Sequence, residues 1–166
     1  MSNELLKATH QGTVTINDFE ITAYNLPDGT RVLSRIEFLK ALGRTGKAKG
    51  GRKYDEEFQK PVFLTATNLN DFISNELLEN SKAVNFIDLN GNQAIGYRAE
   101  LLPSVCYVFI DAFEAKALKA NQLHIYERSK MLVRGFATVG IIALVDEATG
   151  FQETRQRDAL QKILDK

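Results

Sequence analysis

Two histidines, His10 and His124, and a single cysteine, Cys106, are the residues of this chain able to act as an imidazole base or a thiol nucleophile. None stands at the spacing of a metal or nucleophile motif. Cys106 falls between Val105 and Tyr107 in an apolar run. A thiol there behaves as a small hydrophobe, because reactivity needs exposure and a nearby cation. One cysteine also forbids an intrachain disulfide and a cysteine-built zinc site. Gly43-Arg44-Thr45-Gly46-Lys47 invites comparison with a phosphate loop, but that loop places four residues between its glycines and a serine or threonine after its lysine. Ala48 follows here, so nucleotide hydrolysis is not expected. Asp146, Glu147, Glu153 and Asp158 cluster in sequence, interleaved with Arg155 and Arg157. They could hold magnesium for a nuclease, since hard cations take oxygen ligands. The stronger account is structural: Glu153 opens a helix where the dipole favours anions, and Arg157 with Asp158 are solvated helix charges.

The strongest lead is basic. The 166 residues carry 21 basic and 21 acidic side chains, yet the charges are segregated. From Arg31 to Lys60 nine basic residues face four acidic ones, and from Pro61 to Glu100 two face five. Arg44, Lys47, Lys49, Arg52 and Lys53 stand on a glycine-rich stretch beside Tyr54 with no acidic residue between them. Such a stretch can follow a phosphate backbone without a fixed shape. Five contacts to duplex DNA would give a slope of log affinity on log salt near about −4. A solvated loop held open by like charges has the same composition. No helix-turn-helix, zinc-finger or ribonucleoprotein pattern accompanies it, so sequence-specific reading is not expected.

These residues must be positioned by a mixed set of elements. Thr13–Ile16 and Phe19–Leu26 are β-branched and aromatic, with Asn17-Asp18 as a turn. Pro27-Asp28-Gly29 turns the chain into a strand at Thr30–Leu33, and Ser34 caps a helix over Arg35–Leu42 that Gly43 stops. Pro61–Leu64 reads as a short extended piece, and Asn68 as the cap of a helix through Leu78. Ala83–Leu89 and Gln93–Tyr97 form a hairpin about Asn90-Gly91-Asn92. Pro103 sits at the start of a helix running from Ala99 to about Leu118. Gln122–Val139 reads as a second long helix, with Gly135 marking a close helix crossing. Gly140–Val145, the most apolar segment, is expected in the core, Asp146–Gly150 ends it, and Gln152–Lys166 restarts as a polar helix. No apolar run approaches the roughly 20 residues of a membrane span, and the N-terminus has no signal-peptide core. Broad apolar faces on the long helices predict packing on each other or self-association.

The block Gly140-Ile-Ile-Ala-Leu-Val-Asp-Glu-Ala-Thr-Gly150-Phe-Gln152, followed by Arg155 and Arg157–Lys162, resembles that of the phage and prophage "P sixty-three C" domain family. Gly96–Pro103 with Val105-Cys106, Ala115, Leu118 and Arg134-Gly135, and Asp28–Ser34 with Ala41–Gly43, resemble its upstream parts. The resemblance implies kinship with the KilA-N and Bro-type modules of phage regulators and antirepressors. It supplies no catalytic residues to carry over. Several members continue beyond the position of Lys166, so an activity in a longer tail would lie outside this chain.

The expectation is an α+β fold: a small N-terminal β element plus helix over 1–60, ending in the basic loop, then a β-hairpin packed on a C-terminal group of long helices over 61–166. The expected function is a cytoplasmic, non-enzymatic phage regulator of antirepressor type. It binds nucleic acid, DNA first, through Arg44, Lys47, Lys49, Arg52 and Lys53, self-associates as a homodimer and needs no cofactor. A module that redirects a host protein without touching nucleic acid is the alternative.

Overall fold

Local turn chemistry sets the return of the third strand, while the turn expected at Asn17-Asp18 lies outside the described residues. The computed structural model describes residues 4–16, 19–43, 54–55, 60–61, 64, 66–157 and 159–164. Strand β1 (His10–Ile16) pairs antiparallel with β2 (Phe19–Asn25), Val14 opposite Ile21. Asp28 Oδ1 then accepts the Thr30 N–H at 3.0 Å, which also holds the Asp28 carboxyl below its usual range. Gly29 takes φ +92°, and β3 (Arg31–Ser34) returns against β2. Helix α1 (Arg35–Ala41) comes directly after it. Ser34 precedes the helix without the side-chain capping bond expected of it, and Gly43 closes it at φ +85°.

Two-residue strands β4 (Tyr54–Asp55) and β5 (Lys60–Pro61) pair with each other. The single helix expected over 68–78 is instead a 3-10 turn, Thr67–Phe72, and a short α2 (Asn75–Asn80). Ser74, not Asn68, provides the cap, its Oγ accepting the Leu77 N–H at 3.0 Å. Asn68 is used differently: its amide donates to the Ala117 carbonyl and the Gln122 side chain, tying this turn to the later helices. The second hairpin, β6 (Val84–Ile87) and β7 (Gln93–Arg98), turns as its Asn-Gly-Asn predicts. Gly91 takes φ +86°, and Asp88 Oδ1 accepts the N–H groups of Asn90 and Asn92.

Strand β7 pairs with β3, so one five-stranded antiparallel sheet, ordered β1-β2-β3-β7-β6, runs across residue 60. The fold is therefore α+β. Period-two alternation sends Ile21, Leu33 and Tyr97 to one face, the main core under the helices. Val32, Phe86 and Tyr24 go to the other, where Ala8 and Leu26 complete a smaller cluster.

Helix α3 (Leu101–Glu114) buries Leu101, Leu102, Val105, Cys106, Val108, Phe109 and Ala112. It ends earlier than expected, because Lys116 turns left-handed at φ +61° and the Ala117 N–H reaches back to the Ala112 carbonyl. Helix α4 (Leu123–Thr149) is the main departure. One 27-residue helix replaces the helix, core segment and terminator read from the sequence, and it stops only at Gly150, φ +81°. Nothing between Val139 and Thr149 interrupts the hydrogen-bond ladder, since no proline occurs there. The segment expected in the core is there on one side only: Gly140, Ile142 and Ala143 are half-buried, while Ile141, Leu144 and Val145 are 58%, 63% and 53% exposed. Length is the reason. At 1.5 Å per residue α4 is about 40 Å long and its partner α3 about 21 Å, so α4 outruns its cover.

The chain then doubles back. A 3-10 turn, Phe151–Glu153, leads to α5 (Ala159–Leu164), which starts later than expected. The Gln161 amide occupies the outer edge of β1, accepting the Thr15 N–H at 2.9 Å and donating to the Thr15 carbonyl. The close crossing expected at Gly135 is made by Leu164, 3.0 Å from where a Cβ would stand. Among the described residues no helix is long and apolar enough to cross a membrane.

Candidate functional site

The candidate side chains for chemistry are accounted for by packing. Cys106 is fully buried on α3, and burial pushes its thiol up to about 12 against the opposing influence of the Ser129 hydroxyl. A neutral, inaccessible thiol is no nucleophile at ordinary pH. The carboxylates weighed as a magnesium site are divided. Asp146 is engaged by Arg155, Nη1 to Oδ2 at 3.1 Å in a partly buried pair, and Asp158 lies outside the described residues. Among the described residues no three histidine, cysteine, aspartate or glutamate side chains gather as metal ligands would.

Arg44, Lys47, Lys49, Arg52 and Lys53 all lie outside the described residues. The point from which they depart is well defined. His124, in the first turn of α4, donates from Nε2 to the Gly43 carbonyl at 3.1 Å. Its ring also stands 3.1 Å from where a Gly43 Cβ would be. His124 therefore secures the end of α1 to α4, at the root of the basic segment.

A surface that sequence reasoning placed wrongly is the outer side of α4. Two apolar stripes run along its C-terminal half at helical spacing. Leu132, Phe136, Val139 and Ala143 form one, buried or half-buried towards the body. Ala137, Ile141, Leu144 and Ala148, joined by Val145, form the other, and all five are exposed. Residues spaced four, three and four apart share one helix face, and these two sets lie on opposite sides. The signal was present in the spacing: an apolar helix segment with two opposed stripes has two surfaces to cover. Exposed Arg134 bounds the outer stripe on α4, and Phe151, in the turn after Gly150, is exposed as well. Burying such side chains yields about 25 cal/mol per Å² of apolar area.

A hollow also opens between the sheet and the helices. Val14, Ile21, Leu33, Ala99, Leu102, Pro103 and Phe136 line about 300 Å³, with Glu100 as the only ionisable lining group among the described residues. One carboxylate among hydrocarbon walls has no partner for acid–base work.

Fold and surface together define an α+β protein with a five-stranded antiparallel sheet and one overlong helix, apolar on two sides. No family model, no curated protein and no solved structure matches the chain.

Proposed function

We propose that this chain is a non-catalytic, cytoplasmic regulatory protein that pairs with a second copy through the outer stripe of α4 and binds nucleic acid through Arg44, Lys47, Lys49, Arg52 and Lys53. The phage antirepressor type is the one its sequence resemblance implies. The observation that carries the reading is the exposed apolar stripe of Ala137, Ile141, Leu144, Val145 and Ala148 on a helix whose other side already packs on the body. An antiparallel second copy answers it in size and charge. With the two-fold near Leu144, Ile141 of one copy lies across from Ala148 of the other. Such isologous contacts are the commonest way soluble chains associate. For nucleic acid, the support is the segregated charge of the basic segment and its anchored root at Gly43.

Light scattering with and without DNA tests both halves. The wild-type protein is expected to be a dimer. Leu144→Glu, which alters a side chain already in water, is expected to leave a folded monomer by circular dichroism. Changing Lys47, Lys49, Arg52 and Lys53 to glutamine should flatten the salt slope by about 3.6, at about 0.9 per lost phosphate contact. A wild-type monomer at working concentration overturns the self-association, and an unchanged slope overturns the role of the basic segment.

A further inference from the structure

We propose that the corner between α3 and α4 binds a phosphorylated nucleobase, stacked on Phe113 against Leu118 and Leu123 with its phosphate on Lys116. Where the base belongs to a strand, this rests on the nucleic-acid reading above and makes the preferred substrate single-stranded. The Phe113 ring stacks on Tyr126 with centroids 3.8 Å apart and planes 12° from parallel, while Lys130 lies over the Tyr126 ring at 5.2 Å. One face of Phe113 is thereby covered, so its 41% exposure belongs to the outer face and rim. That outer face borders a hollow of about 410 Å³ whose other walls are Glu114, Lys116, Leu118 and Leu123. An aromatic plane facing aliphatic side chains is how proteins hold an unstacked base, and every base has a π-face to offer. Glu114 is the acidic group of the set, placed to accept from an exocyclic amine.

Lys116 is the second, independent indication. It occupies the left-handed position after α3, φ +61°, where glycine or asparagine is the usual occupant. A lysine there forgoes the easier backbone and projects an exposed cation at the mouth of the hollow.

Fluorescence anisotropy with labelled single-stranded and duplex oligonucleotides, and calorimetry with adenosine monophosphate, provide the test. Phe113→Leu, which keeps an apolar side chain on Tyr126, is expected to weaken single-strand binding by at least about fivefold, the lower end for one stacked base, and to leave duplex binding unchanged. Phe113→Trp should retain it. Lys116→Gly relieves the backbone, so its melting temperature should hold or rise while affinity falls and the salt slope for single strands drops by about 0.7. A merely structural lysine would not separate those two readouts. Loss of oligonucleotide binding alone in Phe113→Leu assigns the site to strands, and loss of mononucleotide binding alone assigns it to free nucleotides. If Phe113→Leu binds both probes like wild type while the glutamine-substituted basic segment loses DNA, this site is overturned and the broader reading stands. A wild-type protein that binds neither probe overturns both.

Discussion

Gly96→Ala is expected to destabilise the fold by at least about 3 kcal/mol, the upper end for ordinary overpacking. Gly96 lies in β7 opposite Ser34 of β3, at the joint between the N-terminal strands and the second hairpin. A Cβ there would sit 2.2 Å from the Leu33 carbonyl oxygen and 2.5 Å from Val32 Cγ1. A side-chain tip can rotate away, but a carbonyl oxygen held in the middle of a sheet cannot. Strand β3 is fixed on its other side by β2, through Ala23–Leu33 and its neighbours. The methyl group therefore has to separate β3 from β7 or bend both. Since domains of this kind are stable by only about 5–15 kcal/mol, a large part of the folded margin goes. Gly12→Ala is the control: Gly12 is on the exposed edge strand, nothing stands within 4 Å of its Cβ position, and no loss is expected. Urea unfolding of the two variants checks the pair. A Gly96→Ala protein within about 1 kcal/mol of wild type would mean that β3 and β7 are not in this register.

The parts of this fold that could be read from the sequence are those whose chemistry is local. Pro27-Asp28-Gly29 and Asn90-Gly91-Asn92 bend the chain by an aspartate side chain and a glycine at positive φ, within four residues. Burial of Cys106 was legible because its neighbours on α3 are apolar at every helical contact position. The fate of Gly140–Val145 was not legible in the same way. Its composition is the same whether it fills a core or waits for a partner, and only the relative lengths of α3 and α4 decide between them. The Asp146–Arg155 pair was hidden for a related reason, since it exists only because the chain reverses at Gly150. The aromatic corner joins Phe113 to Tyr126 across a left-handed turn at a lysine, a conformation no propensity assigns to that residue type. Sequence patterning thus found the strands of the five-stranded sheet and two of its turns, but not the short strand Tyr54–Asp55. The surfaces that give the protein something to do depend on how far each element extends beyond its neighbour.

Phe38→Ala is the second large effect expected, about 3–5 kcal/mol for emptying a buried phenylalanine site. Phe38 is fully buried on α1, its ring 5.1 Å from that of Tyr97 at 56°, a tilted pair contributing about 0.5–1.5 kcal/mol beyond area alone. Helix α1 has seven residues, and isolated helices below about 12 residues are marginal in water. It is helical because Phe38, Leu39, Ala41 and Leu42 are held in the core, so losing the largest of them loosens the whole element. The consequence reaches beyond stability. Gly43 lies at the end of this helix, and its bond to His124 exists only while α1 is docked. Hydrogen exchange should therefore show the α1 amides losing protection before those of β7, and DNA affinity should fall together with that protection. Leu144→Glu should leave both untouched, because it acts at the far end of α4. If Phe38→Ala costs less than about 1 kcal/mol, or if DNA affinity is unchanged while α1 opens, the anchored root at Gly43 does not govern how the basic segment is presented.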